Sequence, residues 1–215
     1  TIKPILGLAA LQLGVVNLTH RHICRGHFTL PGNTHRYRDW LPTGHGSVNL
    51  HNAIAQSCDV FFYEIGGQIG IDRMHNYLDQ FGLGQKTNIE LTGERDGLIP
   101  STLWKKTMFS KNEDKTWFPG ETVIASIGQG YMLATPLQLA NATAALATRG
   151  IRYKPTIVSA TQDPISKIKM ISEPLQLNQI KIDSVTYWEE IISAMHNVMQ
   201  GSGTAKNVGI GAPYK

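Results

Sequence analysis

The stretch Ser57-Cys58-Asp59-Val60-Phe61-Phe62-Tyr63 places two polar groups that can move protons directly before an apolar run. The apolar run predicts a helix that is buried in the core, and the polar triplet stands at its start. Ser57 and Asp59 can also serve only to cap this helix. The triplet therefore indicates either a helix cap or a reactive edge held on a packed element.

The composition is that of an ordinary globular domain. The chain has 215 residues, of which 41% are hydrophobic and 17% are charged, so it is long enough to bury a core. The net charge of +4 comes from scattered basic residues, which argues against a nucleic-acid partner and suits an anionic cell-envelope polymer. Apolar stretches end before the roughly 18 residues of a membrane span. Because the chain has neither a signal peptide nor an initiator methionine, we expect a fragment of a longer protein.

Helical periodicity and end signals predict six helices. Pro4 suits a first turn, which puts Lys3 at the amino terminus of the first helix, and Thr135-Pro136 opens the strongest one. The predicted helices cover residues 4–14, 50–55, 59–69 with Asp59 as the cap, 71–82, 136–150 and 188–199. We expect a long loop over 17–43, mainly loops with short strands over 84–120, a strand over 151–160 and a variable connection over 161–183.

Lys3, Ser57 and Asp59 together suggest nucleophilic catalysis. A serine hydroxyl is a poor nucleophile until a base accepts its proton, and a lysine can act as that base where burial or nearby positive charge disfavours its ammonium form. The start of a helix supplies such a field, and Lys3 lies there. A serine directly before Thr1 would lie on the same helical face as Lys3 and close enough to bond. It would complete a Ser-x-x-Lys motif, with Ser57 and Asp59 forming a second motif, Ser-x-Asp.

Seven segments, in chain order, resemble the penicillin-binding protein 2 family, the elongation-specific class B peptidoglycan D,D-transpeptidases of Gram-negative bacteria. The resemblance covers nearly the whole chain, which makes it far more specific than a lone Ser-x-Asp. The segments are Thr1-Ile2-Lys3-Pro4, Ser57-Cys58-Asp59-Val60-Phe61-Phe62-Tyr63-Glu64, Gly70-Ile71-Asp72-Arg73, Phe81-Gly82-Leu83-Gly84, Trp117-Phe118-Pro119-Gly120-Glu121-Thr122, Gly128-Gln129-Gly130-Tyr131 and Ala134-Thr135-Pro136-Leu137-Gln138.

The resemblance implies an α+β fold of the penicillin-binding-protein and serine β-lactamase type, of which this chain holds mainly the helical part. Residues 1–215 would be a partial transpeptidase domain, without the nucleophilic serine before Thr1 and without the Lys-Ser/Thr-Gly motif after Lys215. Lys3 would activate that serine, Ser57 would relay a proton to the leaving amine, and Asp59 would orient the substrate or the lysine. The segment 201–206 is rejected as the third motif, because a glycine stands where a cation is needed.

The resemblance also implies a structural zinc ion bound by Cys24, Asp39, His45 and Cys58. Thiolate, imidazole and carboxylate groups together favour tetrahedral zinc. The spacing of these residues is too irregular to define a zinc motif, so the ligand set rests on the resemblance and on suitable chemistry. A Cys24–Cys58 disulfide and two buried free thiols remain as alternatives.

The activity implied by the resemblance is that of a serine D,D-transpeptidase. It would cross-link peptidoglycan stem peptides that end in D-Ala-D-Ala, in side-wall elongation and rod-shape maintenance, and β-lactam antibiotics would acylate and inhibit it. Its partners would be the glycosyltransferase and scaffold proteins of the elongation complex. An N-terminal helix outside this chain would anchor it in the inner membrane, with the catalytic domain in the periplasm. The alternatives are a serine β-lactamase or penicillin sensor of the same superfamily, and a non-catalytic, zinc-stapled envelope scaffold.

Overall fold

The computed structural model describes residues 2–211; Thr1 and residues 212–215, up to Lys215, lie outside the described residues. Helices dominate residues 2–211, and short antiparallel strand pairs connect them. The helices are α1 (Lys3–Gln12), α2 (Leu50–Ala55), α3 (Asp59–Ile69), α4 (Ile71–Gln80), α5 (Thr102–Met108), α6 (Pro119–Ala125), α7 (Pro136–Ala147), α8 (Val185–Val198) and α9 (Lys206–Gly209). The strands are β1 (His22–Cys24), β2 (His27–Phe28), β3 (Tyr37–Arg38), β4 (Gly46–Val48), β5 (Ile151–Tyr153), β6 (Ala160–Gln162), β7 (Lys169–Ile171) and β8 (Gln176–Gln179). Within the described range, every helix is too short or too polar to cross a bilayer.

The core is built around α1 and α3. α1 packs against α3, α4 and α8, while α3 also packs against α4 and α6. Leu6 and Leu8 of α1 and Phe61 and Phe62 of α3 are fully buried. Burial of such side chains contributes about 1.5–3 kcal/mol each relative to exposure. The two helices are therefore firmly held, and so are the residues at their first turns.

Most of the predicted helix ends lie within two residues of the observed ones. Thr135 is the N-cap of α7: its hydroxyl accepts the amide N–H of Gln138, whose side chain accepts the amide N–H of Thr135 in return. α3 ends at Ile69, and Gly70 follows with a φ of 79°, which glycine adopts without steric cost. These ends depend on interactions between near neighbours in the sequence, which is why the sequence predicts them.

The predictions for three connecting segments are only partly right. Residues 84–120 contain α5, which Ser101 caps by accepting the amide N–H of Trp104. The strand predicted over 151–160 ends at Tyr153, because Pro155 has no amide hydrogen with which to continue a ladder. The connection predicted over 161–183 holds most of β6 together with β7 and β8, and β8 pairs with β5.

The long loop predicted over 17–43 folds into short strands. β1 pairs with β4 and β2 pairs with β3, both antiparallel, which places Cys24 opposite Gly46. Gly44 approaches so closely that a Cβ there would lie 2.3 Å from the carbonyl oxygen of Cys24. Only glycine permits this approach. The strand pairs bring Cys24, Asp39 and His45 to the start of α3.

Candidate functional site

Lys3 and the turn before α3 form one hydrogen-bonded group. Lys3 is the first residue of α1, and its Nζ donates to the Ser57 carbonyl oxygen at 2.9 Å, to Ser57 Oγ at 3.0 Å and to Asp59 Oδ1 at 2.6 Å. The lysine is only 7% exposed, so these charge-assisted bonds are largely shielded from water. The three candidate catalytic residues therefore meet, although 54 positions separate Lys3 from Ser57.

The alternative in which Ser57 and Asp59 only cap a helix is wrong. Cys58 is the N-cap residue of α3, and α3 has no side-chain cap hydrogen bond. Asp59 was predicted to be the cap, but it is the first residue inside the helix. Its carboxylate still favours α3 through the helix dipole. Both polar side chains bond a lysine from another helix instead of the backbone of α3.

The turn that carries Ser57 is constrained. Ser57 has a φ of 55°, a left-handed conformation that residues other than glycine rarely adopt. Such a conformation persists where the surroundings hold it in place. The amide N–H of Cys58 donates to the carbonyl of Ala53 at 2.9 Å, and Trp40 Nε1 donates to the carbonyl of Gln56 at 3.0 Å. The position of the Ser57 hydroxyl is therefore set by several neighbouring elements.

Four potential metal ligands converge at the same turn. The ligand atoms of Cys24, Asp39, His45 and Cys58 all lie within 4.8 Å of one another. Asp39 Oδ2 lies 3.5 Å from the Sγ atoms of Cys24 and Cys58, and His45 Nδ1 lies 3.6 Å from Cys24 Sγ and from Asp39 Oδ1. All four side chains are buried, and both cysteines are free thiols. The structure thus brings together all four residues that the family resemblance named.

Asp39 ties the strand region to the first turn of α3. Its Oδ2 accepts the amide N–H of Val60 and its Oδ1 accepts that of Leu41, both at 3.1 Å. Burial raises the pKa of the Asp39 carboxyl, but the two backbone donors, helped by His45 and Cys24, outweigh burial. The net pKa lies below its ordinary value, so this buried carboxylate stays ionised.

The environment of Cys58 favours the protonated thiol unless a cation is present. Burial raises the pKa of the Cys58 thiol far above its ordinary value. The amide N–H of Phe61 lowers that pKa, whereas the neighbouring Asp39 and Cys24 raise it further. A metal ion supplies the positive charge that deprotonates such a thiol outright. The chemistry of the donor set therefore fits a cation.

Sequence reasoning missed Trp40 and Thr204. Together with Ser57 and Asp59 they line a cleft of about 370 Å³. The amide N–H of Thr204 donates to the carbonyl of Ala55 at 3.2 Å, which brings the segment after α8 against the end of α2. No local pattern signals this contact, because it joins distant parts of the chain.

Comparison with known proteins identifies the family. The model of the penicillin binding protein transpeptidase domain matches residues 1–214. The peptidoglycan D,D-transpeptidase MrdA of Acinetobacter baumannii is 41% identical over 211 residues, which cover 97% of this chain and 30% of that protein. MrdA of Escherichia coli K12 is 35% identical over 216 residues, which cover 100% of this chain and 33% of that protein. The chain thus spans about a third of the length of the curated relatives that it matches.

Solved structures show the same fold. The crystal structure of Pseudomonas aeruginosa PBP2 in complex with WCK 5153 matches with a TM-score of 0.86 at 38% identity. The match covers 100% of this chain and 47% of the PBP2 chain. The complex between PBP2 and MreC from Helicobacter pylori matches with a TM-score of 0.79 at 31% identity. The match covers 99% of this chain and 37% of that one. These matches confirm the predicted α+β fold, of which the chain holds a largely helical part. The chain belongs to the penicillin-binding protein transpeptidase domain family, and it aligns over its whole length with penicillin-binding protein 2 relatives.

Proposed function

We propose that this chain is part of a serine D,D-transpeptidase that cross-links peptidoglycan stem peptides. The observation that carries the proposal is the position of Lys3 Nζ, which donates to both Ser57 Oγ and Asp59 Oδ1. Activation of a serine requires a base beside it, and the leaving group requires a proton donor within reach. The family resemblance puts the nucleophile directly before Thr1, one helical turn from Lys3. The relatives named peptidoglycan D,D-transpeptidase support this assignment.

In the proposed reaction, the Lys3 ammonium first releases one proton to solvent, and its amine then accepts the proton of the serine as the serine oxygen attacks the carbonyl carbon between the two D-alanines. An ester bond forms, and the bond to the nitrogen of the terminal D-alanine breaks. The proton passes from Lys3 through the Ser57 hydroxyl to that nitrogen, which leaves Lys3 neutral. An amine of a second stem peptide then attacks the ester. The new amide bond forms, and the proton that the amine loses returns to the serine oxygen.

Labelling with a fluorescent penicillin tests the activity. The full-length protein should acquire one label on the serine before Thr1, located by peptide mass spectrometry, and replacement of that serine by alanine should abolish labelling. The label should persist well beyond the assay, because a transpeptidase deacylates slowly. Release within seconds would instead indicate a β-lactamase. A folded protein that takes up no label would support the non-catalytic scaffold and refute the proposal.

We further propose that the full-length protein acts in side-wall elongation and rod-shape maintenance and is inhibited by β-lactams. Related solved structures include a PBP2 complex with WCK 5153, a PBP2 complex with MreC and a peptidoglycan synthase complex. By similarity we expect a glycosyltransferase and a scaffold protein as partners. We also expect an inner-membrane anchor outside this chain and a periplasmic catalytic domain. Depletion of the protein should turn rods into spheres, and depleted cells that stay rod-shaped would refute the elongation role.

We also propose that Cys24, Asp39, His45 and Cys58 hold one structural zinc ion. Tetrahedral zinc with Zn–S bonds of about 2.3 Å and Zn–N or Zn–O bonds of about 2.0–2.1 Å separates neighbouring ligand atoms by about 3.5 Å. Three separations fit that geometry: 3.5 Å from Asp39 Oδ2 to the Sγ atom of each cysteine, and 3.6 Å from His45 Nδ1 to Cys24 Sγ. Four protein ligands leave no open position, so the ion would stabilise the fold instead of activating water.

Elemental analysis tests the zinc proposal directly. Protein purified without chelators should contain about one zinc per chain, and removal of the ion should lower the melting temperature. The rival disulfide predicts a different result. A mass-detected Cys24–Cys58 linkage in protein that contains no metal would refute the zinc site.

A further inference from the structure

A cleft beside the candidate catalytic residues is partly lined by Trp40 and Thr204, which the acylation step does not use. Trp40, Ser57, Asp59 and Thr204 line this cleft of about 370 Å³. A molecule bound in it would lie against the groups proposed to carry protons. A transfer reaction has two substrates, and each must be held close to the bond that changes. The cleft is therefore a candidate position for the second substrate.

The aromatic wall of this cleft is exposed and yet held in place. Trp40 is 55% exposed. Its Nε1 donates to the Gln56 carbonyl at 3.0 Å, and its ring centroid lies 5.5 Å from that of His45 in an edge-on arrangement. A large ring that is already fixed loses little conformational entropy when a ligand packs on it. Trp40 is thus a preorganised apolar surface at the mouth of the site.

A carboxylate, that of Asp59, also lines the cleft. Asp59 Oδ1 accepts a hydrogen bond from Lys3 Nζ, whereas Asp59 Oδ2 accepts none within residues 2–211. After the first half of the proposed reaction Lys3 is neutral, so the charge of Asp59 is then uncompensated. A cleft lined by a carboxylate and an indole ring suits an ammonium group on an alkyl chain, because the carboxylate pairs with the charge and the ring binds both the cation and the chain.

We propose that Trp40 and Asp59 bind the acceptor substrate, an aliphatic primary amine on a second stem peptide. The alkyl chain lies along the indole ring and the nitrogen points toward Ser57. The bound ammonium gives one proton to neutral Lys3 and becomes the attacking amine. Lys3 later releases this proton to solvent. This inference rests on the proposed transpeptidase activity. Trp40 is a substrate-binding residue here, and it takes no part in proton transfer.

The test is the ratio of aminolysis to hydrolysis of one acyl-enzyme. Full-length protein is acylated with a thioester analogue of the stem peptide, in the presence of Nα-acetyl-lysine as the amine acceptor. Trp40→Ala should lower the ratio roughly tenfold, whereas Trp40→Phe, which keeps an aromatic face, should stay within about threefold of the wild type. Both products come from the same acyl-enzyme, so any loss of acylation cancels in the ratio. Tyr153→Ala removes another exposed ring, on β5, and should leave the ratio unchanged.

An unchanged ratio in Trp40→Ala overturns the proposal. The proposal is also overturned if Trp40→Ala and Trp40→Phe lower the ratio of aminolysis to hydrolysis equally and also lower the melting temperature or the zinc content. That result would show that Trp40 acts only by supporting the Gln56 carbonyl and His45. A wild-type protein that forms no acyl-enzyme at all is a different result, because it refutes the transpeptidase activity on which the proposal rests.

Discussion

Replacement of Cys58 by serine should remove the proposed zinc ion and disturb the active site together. Cys58 is fully buried, its Sγ lies 3.5 Å from Asp39 Oδ2, and it stands between Ser57 and Asp59 in the chain. Serine keeps the size of the side chain almost unchanged but is a poor zinc ligand. The substitution thus tests whether one turn serves both the metal site and the proton-transfer group.

The expected loss of stability follows from metal linkage. An ion present at about 100 times its dissociation constant stabilises the folded state by about 2.7 kcal/mol. For a domain of about 150–250 residues, each kcal/mol moves the melting temperature by about 2–4 °C. Cys58→Ser should therefore melt about 5–10 °C below the wild type. A displacement of the Ser57 hydroxyl by about 1 Å should also slow acylation up to about a hundredfold.

Cys24→Ser is the matched control, because it removes an equivalent ligand from β1 without touching the turn. Zinc content by elemental analysis, melting temperature and labelling by fluorescent penicillin are measured for both variants. Both should lose zinc and stability, and Cys58→Ser should show the larger loss of acylation. The reasoning is refuted if Cys58→Ser keeps its zinc, or if zinc is lost from both variants while acylation stays at the wild-type rate.

Other predictions rest on individual side chains. Lys3→Ala should slow acylation by fluorescent penicillin at least about a hundredfold, because it removes the proposed base; a rate within tenfold of the wild type would contradict that role. Gly66→Ala should destabilise the protein in urea unfolding by about 1–3 kcal/mol, since its Cβ would lie 2.2 Å from that of Ser126. Gly67→Ala, in the same helix and with nothing within 4 Å, should instead stabilise by about 0.5–1 kcal/mol; similar effects of both would argue against the close contact. The pKa of the Asp39 carboxyl is lower in the folded protein than its value of about 3.9 in the unfolded chain. The ionised carboxylate therefore stabilises the fold at a pH above about 3.9, and this stabilisation is lost as the pH falls through the pKa of the folded state. Melting temperatures of metal-free protein should thus fall more steeply in the wild type than in Asp39→Asn between about pH 5 and pH 3, and equal slopes would contradict the shift.

Sequence reasoning succeeded where the deciding interactions are local. The cap at Thr135 and the end of α3 at Gly70 depend on residues within one helical turn, so the pattern alone predicts them. Sequence reasoning failed at α5. There Lys105 is buried and its Nζ lies 2.5 Å from Oε1 of Glu121 on α6, a contact that no periodicity in the sequence reveals. Sequence reasoning also missed Trp40 as part of the cleft that Ser57 and Asp59 line, because exposure and neighbours are properties of the folded chain.

The sequence by itself determined six of the nine helices found within residues 2–211, the family resemblance and the identity of the seven candidate site residues. Only the tertiary structure showed that Lys3 Nζ reaches both Ser57 and Asp59, and that the four candidate ligands meet at the same turn. The physical reason is distance along the chain. Local patterns report interactions among near neighbours, whereas the packing of α1 on α3 and the pairing of β1 with β4 bring distant residues together. Cys58 joins the two candidate sites because it is a candidate metal ligand and stands between Ser57 and Asp59 in the chain.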